Sequence, residues 1–292
     1  MSLLPPRVLQ KLARSRLQPI WATPRAGVGE RRSRAKGSGI EFADHREYQP
    51  GDDIRHLDRH AYSRLGRHVI KQYSLYQQLQ VTVLIDSSAS MGFGTPAKLR
   101  RAAELAGIVA YAGLSGGDRV LVGAFSGGSV KWHRHLEGTR RAAALFRWLE
   151  QLRPEGSSRV AESARASARR LGSSGLLVVI SDWLDDGLAA ALSAWRRAGQ
   201  ELVGVRLLAP EELEPERMGD GPVRLFDVES GQEVEASLDA GGYASYRKAL
   251  ADWERRLRDA LFVQEGRLFS VRSDDDLERT VLTEWRVKQL IS

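Results

Sequence analysis

The residues best equipped for chemistry in this 292-residue sequence are Asp86, Ser88 and Ser90, which follow an apolar run at 81–85 as the pattern D-x-S-x-S. A run of that length predicts a buried strand, and open α/β sheets place ligands beyond the carboxyl ends of their strands. One carboxylate and two hydroxyls converging there are hard oxygen donors. They suit Mg²⁺ or Mn²⁺, which keep several waters, rather than zinc, which prefers nitrogen and sulfur. The same residues could instead cap a strand-to-helix turn, since Ser and Asp are common turn and N-cap residues. Two further features favour the metal. A second apolar run, 176–180, ends in Ser181-Asp182 and would bring another carboxylate to the same rim, and Gly156-Ser157-Ser158 lies in a loop before a helix beginning at 160.

From residue 79 onward, short apolar strands alternate with amphipathic helices, the arrangement that gives a parallel sheet covered on both faces. Strands are expected at 81–85, 119–125, 176–181, 201–207 and 267–271, with 129–133 as a hairpin partner of the second. Helices are expected at 96–113, 139–151, 160–170, 186–197 and 243–262. The first of these carries Leu99, Ala102, Leu105, Ala106, Val109 and Ala110 on one stripe. Segments 223–228 and 232–236, flanking Glu229-Ser230-Gly231, read as a hairpin insertion near 222–238. Ser273 is expected to cap a last helix with three aspartates in its first turn. The reading is a doubly wound α/β domain over 76–292, with an irregular or β-rich attachment over 1–75.

The chain has 44 Lys/Arg, 37 Asp/Glu and no cysteine, with 42% hydrophobic and 28% charged residues. This is a globular composition; it excludes a disulfide scaffold and a thiolate zinc site. No apolar run approaches a membrane span and the start lacks a secretory pattern, so a cytoplasmic location is expected. The positive excess sits at the front: residues 1–72 hold 15 Lys/Arg against 7 Asp/Glu. The run Arg31, Arg32, Arg34, Lys36 could attract a phosphate backbone or an acidic protein surface, or simply be a solvated arm. Nucleic-acid binding through it is the weaker reading, because aromatic side chains for base stacking are sparse there.

Together, Asp86, Ser88 and Ser90, then Ser158 in the second-loop threonine position, then Asp182, resemble the metal-ion-dependent adhesion site of von Willebrand factor A domains. Ser158 replaces the usual threonine and keeps the hydroxyl; Ser157 could take the same role. Gly117-Asp118-Arg119-Val120 is also similar to that family. Upstream, Gly39-Ile40-Glu41-Phe42, Arg46-Glu47-Tyr48, Gly51-Asp52-Asp53-Ile54-Arg55, Leu57-Asp58 and Ile70-Lys71-Gln72-Tyr73 resemble the segment preceding the adhesion-type domain in a bacterial family catalogued as domain of unknown function 58. Arg59 stands where that family commonly has tryptophan. The resemblance implies a von Willebrand factor A-like, Rossmann-like fold. It also implies a metal site in which a partner's acidic residue completes the shell of Mg²⁺ or Mn²⁺, and a non-enzymatic, chaperone-like adaptor role beside a MoxR-type AAA+ ATPase.

Other chemistries match less well. Phosphoryl transfer by a strand-end aspartate with Mg²⁺ would expect D-x-D, and position 88 is serine. The stretch from Gly92 to Lys98 fails the phosphate-loop frame at Ala97 and Leu99. Gly113 to Gly117 is formally G-x-S-x-G, but the elements run helix, turn, strand, the reverse of a nucleophile elbow. Histidines 45, 56, 60 and 68, with Asp52, Asp53 and Asp58 nearby, match no ligand spacing. The turn at Gly51 to Asp53 is expected to serve structure, its carboxylates pairing local arginines.

Overall fold

The computed structural model describes residues 3–21, 25–37, 41–50, 52, 57–219 and 221–292. In chain order the elements are α1 (Pro6–Leu12), β1 (Arg25–Gly37), β2 (Glu41–Glu47), α2 (Arg59–Leu65), β3 (Val69–Gln78), β4 (Gln80–Asp86), α3 (Lys98–Ser115), β5 (Arg119–Ser126) and β6 (Ser129–Trp132). Then come α4 (Ala142–Glu150), α5 (Val160–Ala168), β7 (Gly175–Ser181), α6 (Leu188–Arg197), β8 (Gln200–Leu208), α7 (Pro210–Leu213), β9 (Gly221–Phe226), β10 (Glu233–Leu238), α8 (Ala240–Val263) and β11 (Arg267–Arg272). The chain closes through short helical pieces, Leu277–Arg279, a π-helical Thr280–Glu284, and Trp285–Val287.

Residues 1–23 and 79–292 form one compact unit and residues 24–78 another. The first unit is built on a six-stranded sheet in the order β11-β8-β7-β4-β5-β6. All neighbours are parallel except β5 and β6. The central strands read as nearly continuous apolar runs because both faces are covered. Val81, Val83, Ile85, Val178 and Ile180 face a core shared with α1, α3, α4 and the C-terminal pieces. Leu84, Leu177, Val179 and Leu202 face the opposite core, filled by α5, α6 and α8. This is the expected doubly wound α/β fold. The chain leaves β4 toward β5 and later returns to β7 on the other side of β4, so the winding reverses between β4 and β7.

Three details correct the sequence reading. Residues 1–23 belong with the sheet domain rather than with an attachment over 1–75. Residues 139–141 form a 3-10 turn ahead of α4. The last helix is capped by Asp276, whose carboxylate accepts from Arg279 N, and not by Ser273, because Asp274 and Asp275 are drawn to Arg272 instead. The hairpin at 222–238 is found as β9 and β10. Ser115 ends α3 and Gly116 caps it, so the G-x-S-x-G stretch is a helix-ending turn.

The second unit is β-rich, an antiparallel sheet in the order β1-β3-β2. Asp58 caps α2 by accepting from His60 N and Ala61 N. Asp52 pairs Arg46 at 2.8 Å and accepts from Gln49 N, the structural role expected for that turn. His68 stacks on Tyr62. The side chains of Arg31, Arg32, Arg34, Lys36 and His45, and residues Gly39, Ile40, Gly51 and 53–56, lie outside the described residues.

Candidate metal centre

Each predicted site residue stands at a carboxyl edge of the sheet or in a loop packed against it. Asp86 is the last residue of β4, and Ile85 pairs with Ile180, so the register sets Asp86 beside Ser181 at the end of β7. Three loops are laced over this point by backbone bonds. Ser87 N donates to Phe125 O, Ala89 N to Gly156 O, Glu155 N to Ser87 O and Gly127 N to Ser157 O. The loop after β4 is thereby fixed to the loop carrying Ser157 and Ser158.

The side chains then converge. Asp86 is fully buried; its Oδ1 accepts from Ser88 N at 2.9 Å and its Oδ2 from Ser181 Oγ at 2.7 Å and Ser158 Oγ at 3.1 Å. The Ser88 and Ser90 hydroxyls lie 3.1 Å apart, and Ser90 Oγ donates to Asp182 Oδ2 at 3.2 Å. The five expected residues therefore form one connected cluster. It is Ser158 that presents its hydroxyl to Asp86, while Ser157 engages Gly127 through its carbonyl.

Two left-handed non-glycine residues aim the outer loops. Trp183, directly after Asp182, has φ +63°, and Arg159, directly after Ser158, has φ +43°. Such conformations persist only where surroundings enforce them. Trp183 is buried, donates Nε1–H to Val205 O, and its carbonyl accepts from Trp253 Nε1. These bonds hold Asp182 over the rim.

Four participants were not assigned to the site from sequence. Ser181 was seen only as a strand end. Lys98, noted only in the failed phosphate-loop frame, is buried at the start of α3 and donates to Asp182 Oδ2 at 2.8 Å and to Glu212 Oε1 at 2.6 Å. A cation at a helix N-terminus is unfavourable, so both carboxylates are needed to hold it. Burial works against the Lys98 charge, but Asp182 and Glu212 outweigh it and raise its pKa. Burial likewise raises Glu212, with Lys98 opposing. Glu229, at the hairpin tip, accepts from Ser158 N at 3.0 Å. Only a lysine opening a helix after the D-x-S-x-S loop offered any sequence signal; Glu212 and Glu229 lie too far along the chain.

Asp86 and Asp182 differ in compensation. Asp182 has Lys98, whereas among the described residues no cationic side chain forms an ion pair with Asp86. Burial, and then the Asp182 charge, push the Asp86 carboxyl up to about 6, against the opposing bonds from Ser88 and Ser181. A buried carboxylate without a counter-ion is costly. Two carboxylates and three hydroxyls are also the donor chemistry that Mg²⁺ or Mn²⁺ takes. The residues present fit such an ion, with Asp86 and Asp182 supplying charge and Ser88, Ser90 and Ser158 neutral oxygens. Among the described residues no group of three or more His, Cys, Asp or Glu is placed to hold a metal ion, so the candidate centre rests on two carboxylates and serine hydroxyls.

Solved structures similar to this chain include BatB from Bacteroides thetaiotaomicron, at 16% identity over 73% of this chain and 98% of that one, with a TM-score of 0.45. The SpRpn10 VWA domain is similar at 9% identity over 71% and 95%, with a TM-score of 0.39. Among curated proteins, Uncharacterized protein Rv1480 of Mycobacterium tuberculosis (strain ATCC 25618 / H37Rv) is 26% identical over 255 residues, 82% of this chain and 77% of its own length. A family model described as Protein of unknown function DUF58 matches residues 44–258, most of the chain and the whole candidate centre, and the chain belongs to that family.

Proposed function

We propose that this protein is a non-enzymatic, metal-dependent protein-interaction module. Asp86, Ser88, Ser90, Ser158 and Asp182 would hold Mg²⁺ or Mn²⁺ at the rim between β4 and β7. The observation that carries this reading is the fully buried Asp86 carboxylate, surrounded by neutral donors and without an ionic partner among the described residues. A divalent ion supplies positive charge there and leaves a coordination position that an acidic side chain of another protein can fill. The chain's own residues would orient that event: Ser158 bonds Asp86, the Ser88 and Ser90 hydroxyls run on to Asp182, and Lys98 pairs with Asp182.

The resemblance in sequence motifs supports a MoxR-type AAA+ ATPase as the partner, with the module acting as its adaptor in a chaperone-like system. Among the described residues no helix is long and apolar enough to cross a membrane. Calorimetric titration of Mg²⁺ and Mn²⁺ tests the site: saturable binding to the parent and none to a folded Asp86→Ala variant is expected. Equal binding to both would overturn it. The purified ATPase should associate in Mg²⁺ and be released by chelator; chelator-insensitive association would remove the metal from the mechanism.

A further inference from the structure

The hairpin of β9 and β10 leaves Leu225, Phe226, Val228 and Val234 exposed, and Arg224 pairs within it, with Glu233 and Glu235. Its tip is tightly folded around Asp227, whose carboxylate accepts from Glu229 N, Ser230 N and Ser230 Oγ. That turn presents Glu229 inward, half-buried, while Val228 and Ser230 on either side are exposed. Glu229 then reaches across 71 positions to accept from the backbone N–H of Ser158, the residue whose hydroxyl donates to Asp86. A further carboxylate is thus brought onto the residue that bonds Asp86, beside the Asp86–Asp182 pair, where like charge alone would push it away.

We propose that Glu229 is an internal stand-in for the partner's acidic residue, held by the hairpin at the opening of the metal centre, so that a partner carboxylate must displace the hairpin tip to engage. The inference rests on the reading of the site as a metal-dependent acid receptor. It adds the regulation of that site: an attached competitor acts at an effective concentration in the millimolar range, and the affinity seen by an outside ligand falls by the fraction of molecules whose site is open.

The test uses a fluorescent peptide copying residues 224–234 and its control with glutamine in place of the acid corresponding to Glu229, titrated with the full-length protein in Mg²⁺. Against the parent the peptide meets its own competitor. Against Glu229→Gln, which keeps an acceptor for Ser158 N–H but loses the charge, it is expected to bind at least tenfold more tightly. That gain should vanish in chelator, with the control peptide, and when Asp86→Ala is added to Glu229→Gln. Equal affinity for parent and Glu229→Gln, with both titrations still Mg²⁺-dependent and lost in Asp86→Ala, would overturn the stand-in and leave the metal centre intact. Binding indifferent to Mg²⁺ and to Asp86→Ala would overturn both.

Discussion

Asp86 concentrates the chemistry of this protein because its position leaves its charge so little solvated. Its carboxyl is lifted to about 6 from an ordinary 3.8, by burial first and by Asp182 second. The folded, metal-free state therefore binds its proton more tightly than the unfolded chain does. The stabilisation from protonating this group is present in full below pH 3.8, declines as pH rises through about 6, and is absent at neutrality. In chelator, the parent should gain stability relative to Asp86→Asn on going from pH 7 to pH 5, by a few kcal/mol at most. Urea titrations of both proteins at the two pH values read this directly, and a difference that stays constant with pH would contradict it. On the proposed reading the ion and the proton compete for one carboxylate, so Mn²⁺ affinity should weaken below pH 6. Asp86, Ser88 and Ser90 were legible in the sequence because five adjacent residues and one strand end define them. Lys98 was not, since its meaning depends on Glu212, which lies 114 positions away and meets it only in the folded chain.

At the scale of elements, alternation of apolar runs with helical stripes located the central strands to within about a residue, because burial on both faces leaves few other patterns. The strand expected at 201–207 is β8, Gln200–Leu208, and the one expected at 176–181 is β7, Gly175–Ser181. Boundaries failed where local side-chain bonds compete: Arg272 draws off Asp274 and Asp275, leaving Asp276 to start the last helix. The connections matter equally to the site, since they set the register that puts Asp86 beside Ser181. Gly199, between α6 and β8, has φ +76°, and a β-carbon there would lie 2.1 Å from the carbonyl oxygen of Ser173. Gly138 has φ +71° with nothing within 4 Å of such a carbon. With ψ 147° it lies in an extended positive-φ region that glycine alone enters readily, so Gly138→Ala should cost about 1–3 kcal/mol from backbone strain alone. Gly199→Ala must also move backbone and should cost clearly more. Chemical denaturation separates them; equal midpoints would mean that the α6–β8 turn yields freely.

At the scale of the molecule, charge counting misplaced the first twenty residues. Their basic side chains suggested an arm, but Leu4, Val8, Leu12 and Leu17 are at most 1% exposed within the core that α3 shares with the sheet. The apolar spacing of α1 is too short to stand out beside the prolines and arginines around it. This segment also meets the other end of the chain: Gln18 N donates to Leu290 O, Ser292 N to Arg16 O, and Leu17 bridges Ile291. Ile20 N and Trp21 N donate to Glu201, a buried carboxylate that also pairs Arg267. Removing residues 1–21 would take four buried apolar side chains out of the core, each worth about 1.5–3 kcal/mol, a total comparable with the whole stability of a typical domain. It would also strip Glu201 of two donors. The truncated chain should therefore bind a hydrophobic dye and be cleaved rapidly by protease, and Leu12→Ala alone should cost about 2–5 kcal/mol. An unchanged urea midpoint for either would mean that this segment rides on the sheet domain without sealing it. If the loss is seen, any fragment designed to isolate the candidate metal centre must carry residues 3–21 as well as the strands that bear the site, because the rim between β4 and β7 is only as fixed as the core beneath it.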